Sequence, residues 1–155
     1  MQLTRYTDYS LRVLIFVALR EEGEQATINE ICDHFCMPRN HLIKVVQRLG
    51  RLGFLRTQRG KGGGLRLGRP AKEIVVGEVV RAMEPNLDIV DCSSPDCPLI
   101  GDCRLRSVFD EALAAFLAVL SQHTLADLIN QPVQLRTMLD IHINTRGMIP
   151  HCPVT

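Results

Sequence analysis

Residues 27–67 read TINEICDHFCMPRNHLIKVVQRLGRLGFLRTQRGKGGGLRL, and the order of signals in this stretch decides the fold. Thr27-Ile28-Asn29-Glu30 is a capping box, in which the Thr hydroxyl and the Glu carboxylate satisfy each other's backbone N–H at a helix start. Ile28, Ile31 and Cys32 follow on one apolar face. After a short turn, Pro38 suits the first position of a second helix, with Leu42, Val45, Val46, Leu49 and Leu52 as its buried stripe. The opposite face carries Arg39, Asn40, His41, Lys44, Gln47, Arg48 and Arg51. Two short helices joined by a tight turn, the second polar and basic outside, predict a helix-turn-helix with a recognition helix. Phe54 to Gln58 and Leu65 to Leu67 are short strand candidates. Between them, Arg59-Gly60-Lys61-Gly62-Gly63-Gly64 offers glycines for the positive backbone dihedrals of a hairpin turn, which makes the hairpin a wing. A nucleotide cradle is disfavoured, because no Gly-x4-Gly-Lys-Ser/Thr spacing and no strand-to-helix context accompany the glycines.

Working outward, Tyr6 to Arg20 places Leu11, Leu14, Ile15, Ala18 and Leu19 at helical spacing, and Val76 to Met83 predicts a short linking helix. Pro85 opens an acidic, turn-rich segment holding Cys92, Cys97 and Cys103 at Cys-x4-Cys-x5-Cys spacing. Thiolates this close in sequence can share one soft metal centre, and Asp88, Pro95, Asp96, Pro98, Gly101 and Asp102 suit a loop. Zinc and cubane iron-sulfur sites usually take four protein ligands, so one is missing from the loop itself. Beyond Cys103, Leu105, Val108, Phe109, Ala112, Leu113, Phe116, Leu117 and Leu120 sustain a helical pattern too apolar to stand alone. We expect it to form a dimerisation helix, since operators read by helix-turn-helix proteins commonly have two half-sites. Thr124 can cap a last short helix through Leu128.

The expected class is therefore mainly α with a small β wing: a winged helix-turn-helix DNA-binding domain plus a long dimerisation helix. The expected units are a DNA-binding domain with its linking helix over 1–84, a cysteine loop over 85–103, the dimerisation and last short helices over 104–130, and a partly disordered tail over 131–155.

Charge is segregated within a chain of net charge +1. Residues 1–70 hold 12 Lys/Arg against 6 Asp/Glu, and residues 71–155 hold 6 against 11. From Arg39 to Arg69 nine basic residues occur without an acidic one, the footprint of a polyanion site. No apolar run approaches the roughly 20 residues of a membrane span, and the N-terminus lacks the shape of a secretion signal. The expected location is cytoplasmic, where free or metal-ligating thiols prevail over disulfides. No catalytic constellation can be assembled, so no enzyme chemistry is indicated.

The segments MQLTRYTDYSLRVL, PRNHLIKVVQRLGRLGFL, RGKGGGLRLGRP and DCSSPDCPLIGDCRL together resemble the NsrR-type repressors among the bacterial iron-sulfur winged-helix regulators, over roughly residues 1–130. The resemblance implies that Cys92, Cys97 and Cys103 hold an iron-sulfur cluster near a dimer interface. It also implies that the homodimer represses nitric-oxide detoxification genes until nitric oxide attacks the cluster. IscR-like members carry a histidine three residues after the last loop cysteine, and here that position is Ser107. NsrR-like members can instead take an N-terminal aspartate from the partner subunit, which Asp8 matches. Arg12, one helical turn on, could pair with Asp8 when the carboxylate is off the iron. Three cysteines and a carboxylate suit a four-iron or a two-iron cluster, and the resemblance favours four-iron.

The expected contacts with operator double-stranded DNA are Arg39, Asn40, His41, Lys44, Arg48, Arg59, Gly60 and Lys61. Cys32 and Cys36 read as structural, Cys152 as a free tail thiol, and His34, His123 and His142 as lone histidines. The alternatives are a related regulator sensing cluster status or redox state, a structural-zinc DNA-binding protein, and, least favoured, a redox enzyme or electron carrier.

Overall fold

A computed structural model describes residues 2–21, 23–58, 60, 62–92, 97, 99 and 103–139. The first helix, α1, spans Arg5–Ala18 and is capped by Thr4, whose hydroxyl accepts from the Thr7 N–H. Its Val13, Leu14, Phe16 and Val17 are buried, and Ser10 enters the core only because its hydroxyl donates to the Tyr6 carbonyl at 2.6 Å. The expected capping box starts α2 (Ile28–Phe35), and a left-handed Cys36 (φ 52°) ends it. The recognition helix α3 spans Arg39–Arg51. Pro38, expected as its first residue, is its N-cap, so the helix begins one residue later, with the Pro38 carbonyl accepting from the His41 and Leu42 N–H groups. Leu42, Val45, Val46 and Leu49 are buried, whereas Leu52, expected in the same stripe, is half-buried at the C-cap.

The wing is a two-stranded antiparallel sheet, β1 (Leu55–Gln58) with β2 (Gly64–Leu67), registering Leu55 with Leu67 and Gln58 with Gly64. Phe54, expected in the first strand, is buried just before it. Gly60 and Gly62 hold φ of 102° and 80°, a region open to glycine at little cost. The wing's base is tied to the helical core by a reciprocal pair between Ala26 and Leu65 of 3.1 and 2.7 Å.

A 3-10 turn (Ala71–Glu73) leads into α4 (Val76–Met83), which packs on α1 and ends as the cysteine loop begins. The long helix α5 (Arg104–Ser121) lies across α4, followed by α6 (Leu125–Leu128) and α7 (Pro132–Met138). Residues 132–138 fall within the expected tail over 131–155. Pro132 is instead the first residue of α7, Leu135 and Leu139 pack on the core, and Arg136 Nε donates to the Leu19 carbonyl at 2.7 Å. The core therefore joins α1, α2, α3, the wing base, α4 and Leu125 into one cluster. Burying each of its larger apolar side chains contributes about 1.5–3 kcal/mol. Among the described residues no helix is long and apolar enough to cross a membrane.

Candidate nucleic-acid interface and metal centre

The burial of Leu42, Val45, Val46 and Leu49 fixes the rotation of α3, leaving Arg39, Asn40, His41, Lys44, Gln47, Arg48 and Arg51 exposed together. Their contacts divide them. Arg39 Nε donates to Asn29 Oδ1 at 3.1 Å, and an Arg48 guanidinium nitrogen donates to the Ala82 carbonyl at 3.3 Å. Both residues brace α3 against neighbouring elements, leaving their remaining N–H groups for other partners. The side chains of Asn40, His41 and Lys44 form no hydrogen bond or ion pair with any described residue. Behind them the Tyr6 hydroxyl donates to the Lys44 carbonyl at 3.0 Å, holding α1 to the middle of the recognition helix.

On the wing, Gly60 is exposed, as are Arg56 and Arg66, which sit opposite each other in the sheet. The Arg66 guanidinium donates to the Gly23 carbonyl at 3.0 Å. Arg59 and Lys61, expected as wing contacts, lie outside the described residues. α3, the start of α2 and the wing flank a cleft of about 330 Å³ lined in part by Asn29, Arg39, Thr57 and Gln58.

Cys92 and Cys97 are exposed free thiols, and Cys103 is a half-buried free thiol at the N-cap of α5. That cap makes no side-chain hydrogen bond. Among the described residues no three His, Cys, Asp or Glu side chains are gathered into a ready metal site. The intervening residues 93–96, 98 and 100–102 lie outside the described residues. The donor set nonetheless suits a soft metal: three free thiols, two of them exposed, in the one segment linking α4 to α5.

Asp8 is on α1, 43% exposed, with Oδ1 accepting from Arg12 Nε at 2.9 Å, which is the pairing expected for a carboxylate not bound to metal. Ser107 is exposed on α5 and offers no nitrogen ligand.

Cys32, expected as structural, is a half-buried free thiol on α2. Burial pushes its thiol above the ordinary range, Asp33 adds to the rise and Arg39 opposes it, so the neutral form is favoured. Cys36, expected as a thiol, is disulfide-bonded. Cys152 and His142 lie outside the described residues. One contact escaped the sequence: Glu84, at the lip of the cysteine loop, accepts from the Thr4 N–H at 2.7 Å and the Thr4 hydroxyl at 3.2 Å. The partners are 80 residues apart and no local spacing announces them.

A helix-turn-helix with a basic outer face, a glycine-turned wing and an appended long helix define a winged-helix transcriptional regulator. The family model for Rrf2, described as an iron-dependent transcriptional regulator, matches residues 3–131, and the chain belongs to that family. It is 46% identical over 142 residues to the HTH-type transcriptional regulator NsrR of Bacillus subtilis (strain 168), covering 90% of this chain and 97% of that protein. Among solved structures it is similar to CymR (YrzC), the global cysteine regulator of B. subtilis, with a TM-score of 0.69 and 22% identity over 84% of this chain and 97% of that one. It is likewise similar to T. potens IscR, with a TM-score of 0.67 and 19% identity over 94% and 93% of the two chains. At these identities the two structures establish the fold, and family and relative alike are regulators, not enzymes.

Proposed function

We propose that this chain is a nitric-oxide-responsive transcription repressor acting as a cytoplasmic homodimer. In this reading Cys92, Cys97 and Cys103 of one subunit and Asp8 of the other hold an iron-sulfur cluster, taken as four-iron. The observation that carries it is the placement of three free thiols in the single link between a DNA-reading unit and a long helix with no buried residue. The 46% identity to a regulator named NsrR supports the assignment of nitric oxide as the signal. When bound, the cluster would supply iron with one weakly held carboxylate position, open to a small diatomic ligand.

The chain's own residues do the rest. The three sulfurs anchor the group, Asp8 ties α1 of one subunit to the loop of the other, and Arg12 receives the Asp8 carboxylate when it is released. Asn40, His41 and Lys44 contact bases or nearby phosphates in the major groove, Arg59, Gly60 and Lys61 on the wing contact the backbone or the minor groove, and the free N–H groups of Arg39 and Arg48 contact the backbone. Without those ligands engaged, the cysteine loop between α4 and α5 would no longer hold the spacing of the two recognition helices, and operator affinity would fall.

The test is anaerobic purification followed by absorption spectroscopy and operator binding during a nitric oxide titration. We expect a coloured protein whose visible bands and operator affinity decline together. Cys92→Ala, Cys97→Ala and Cys103→Ala should each lose the colour and derepress the target. A colourless, zinc-loaded protein that binds the operator regardless of nitric oxide overturns the proposal in favour of a structural-zinc protein.

A further inference from the structure

We propose that the groove between the start of α1 and the start of α3 seats one sugar-phosphate segment of the DNA backbone, with Arg5 as its phosphate-pairing residue. The inference rests on the DNA-binding reading above and adds to it a contact made by α1.

Thr4, Arg5, Tyr6, Tyr9, His41 and Lys44 line a groove of about 360 Å³. Arg5 and Lys44 are cationic, His41 brings a ring donor, and no acidic side chain lines the groove. Its lining includes two half-buried aromatic residues, Tyr6 and Tyr9. An aromatic lining with cations and donors at the rim matches a deoxyribose flanked by phosphate, apolar in its middle and anionic at its edge. The groove is also held in shape from both sides: the Tyr6 hydroxyl donates to the Lys44 carbonyl at 3.0 Å, and Thr4 is tied to Glu84 at 2.7 Å. It adjoins the exposed face of α3, so a strand crossing that face passes its mouth.

Arg5 has no structural reason to be a cation. It is the first residue of α1, where the helix dipole disfavours positive charge, and it forms no hydrogen bond or ion pair with any described residue. A cation kept at the wrong end of a helix and left exposed beside a recognition helix has the chemistry of a phosphate contact. Such a contact adds affinity without reading sequence.

The test compares wild type with Arg5→Gln and Arg5→Lys as full-length, cluster-loaded proteins, by fluorescence anisotropy on an operator duplex and on a shuffled duplex of equal length across a salt series. Arg5→Gln should weaken binding to both duplexes by the same factor, roughly fivefold per protomer near 0.15 M salt. The slope of log affinity against log salt should flatten by about 0.9 per protomer. Its melting temperature should be unchanged or slightly higher, its visible absorption unchanged, and Arg5→Lys should keep the wild-type slope. An unchanged slope for Arg5→Gln beside a wild type that binds the operator overturns the inference alone, as does a loss confined to the operator duplex. A wild type that binds neither duplex sinks the DNA-binding reading and this inference together.

Discussion

Asp8 and Arg12 sit one turn apart on α1, and their 2.9 Å pair is 43–47% exposed. A surface pair of this kind contributes only about 0.3–0.5 kcal/mol to folding, and the helix dipole adds about 0.3–1 kcal/mol for an acidic residue in the first turn of α1, so the stability at stake in Asp8 is small. If Asp8 is the carboxylate ligand of a partner's cluster, Asp8→Ala should leave the melting temperature nearly unchanged while altering the visible spectrum and the response to nitric oxide. Three thiolates still anchor the core in that variant, so it should retain some cluster where Cys97→Ala retains none. Mixing the two variants separates a contact across the interface from one within the chain. In a heterodimer of Asp8→Ala with Cys97→Ala, ligation across the interface leaves one site carrying neither lesion, and about half the normal cluster content. A heterodimer with no intact site would mean that Asp8 serves its own chain or neither.

At the scale of elements, two short-range devices hold the far end of the molecule to the winged helix. Thr124 and Asp127 form a capping box at α6, the Asp127 carboxylate accepting from the Thr124 N–H at 2.7 Å and from its hydroxyl at 2.8 Å. Those two bonds, backbone first, hold the Asp127 carboxyl below its ordinary range. A carboxylate with a lowered folded-state value stabilises the fold above its unfolded value and loses that contribution as pH falls through the folded one. The protection factors of the α6 amides, taken relative to the intrinsic exchange rate at each pH, should therefore fall on acidification below the ordinary carboxylate range, and Asp127→Asn should remove that dependence; an α6 that protects equally well at low pH would contradict it. The second device is Gly77 of α4, where an added Cβ would lie 2.6 Å from Ser121 Oγ and 3.1 Å from the Ser121 backbone nitrogen of α5. Overpacking of about 1–3 kcal/mol should outweigh the roughly 0.5–1 kcal/mol that alanine gains within a helix. Gly77→Ala should melt lower, and adding Ser121→Ala, which removes the hydroxyl but not the backbone, should recover part of the loss. Elements with such local signals were legible in the sequence: the capping box at Thr27, the cap at Thr124, the glycine turn of the wing, and Val76–Met83 to the residue. What was not legible depends on distant partners. α7 was missed because Pro132 reads as a breaker and because Arg136 holds a carbonyl 117 residues away. The division of α3 into braced Arg39 and Arg48 and unbraced Asn40, His41 and Lys44 likewise depends on Asn29 and on Ala82, the latter 34 residues from Arg48.

At the scale of the whole molecule, α5 is unfinished in a single chain. Its 18 residues rise about 27 Å, and none is buried. Phe109, Leu113, Phe116, Leu117 and Leu120 are partly covered, while Leu105, Val108, Ala112, Ala115 and Val119 are exposed, with Leu105, Val108 and Val119 at 55–58%. The exposed set recurs at alternating steps of three and four, the stripe along which two helices pack side by side, and its central alanines let the helix axes approach closely. In the proposed homodimer a second copy of α5 would supply the matching stripe, and that pairing would set the separation of the two recognition helices on one DNA duplex. Val108→Lys and Ala112→Lys place charges in that stripe without touching the monomer's core. Both should sediment as monomers at concentrations where the wild type is dimeric, with helical content retained and operator affinity down by at least a hundredfold, because two half-sites are no longer engaged together. Ala114→Lys, on the opposite side of the same helix, should remain dimeric and bind normally. If Ala114→Lys dissociates as readily as Val108→Lys, the pairing runs along a different face of α5; if neither dissociates, the subunits join elsewhere and α5 does not set their spacing.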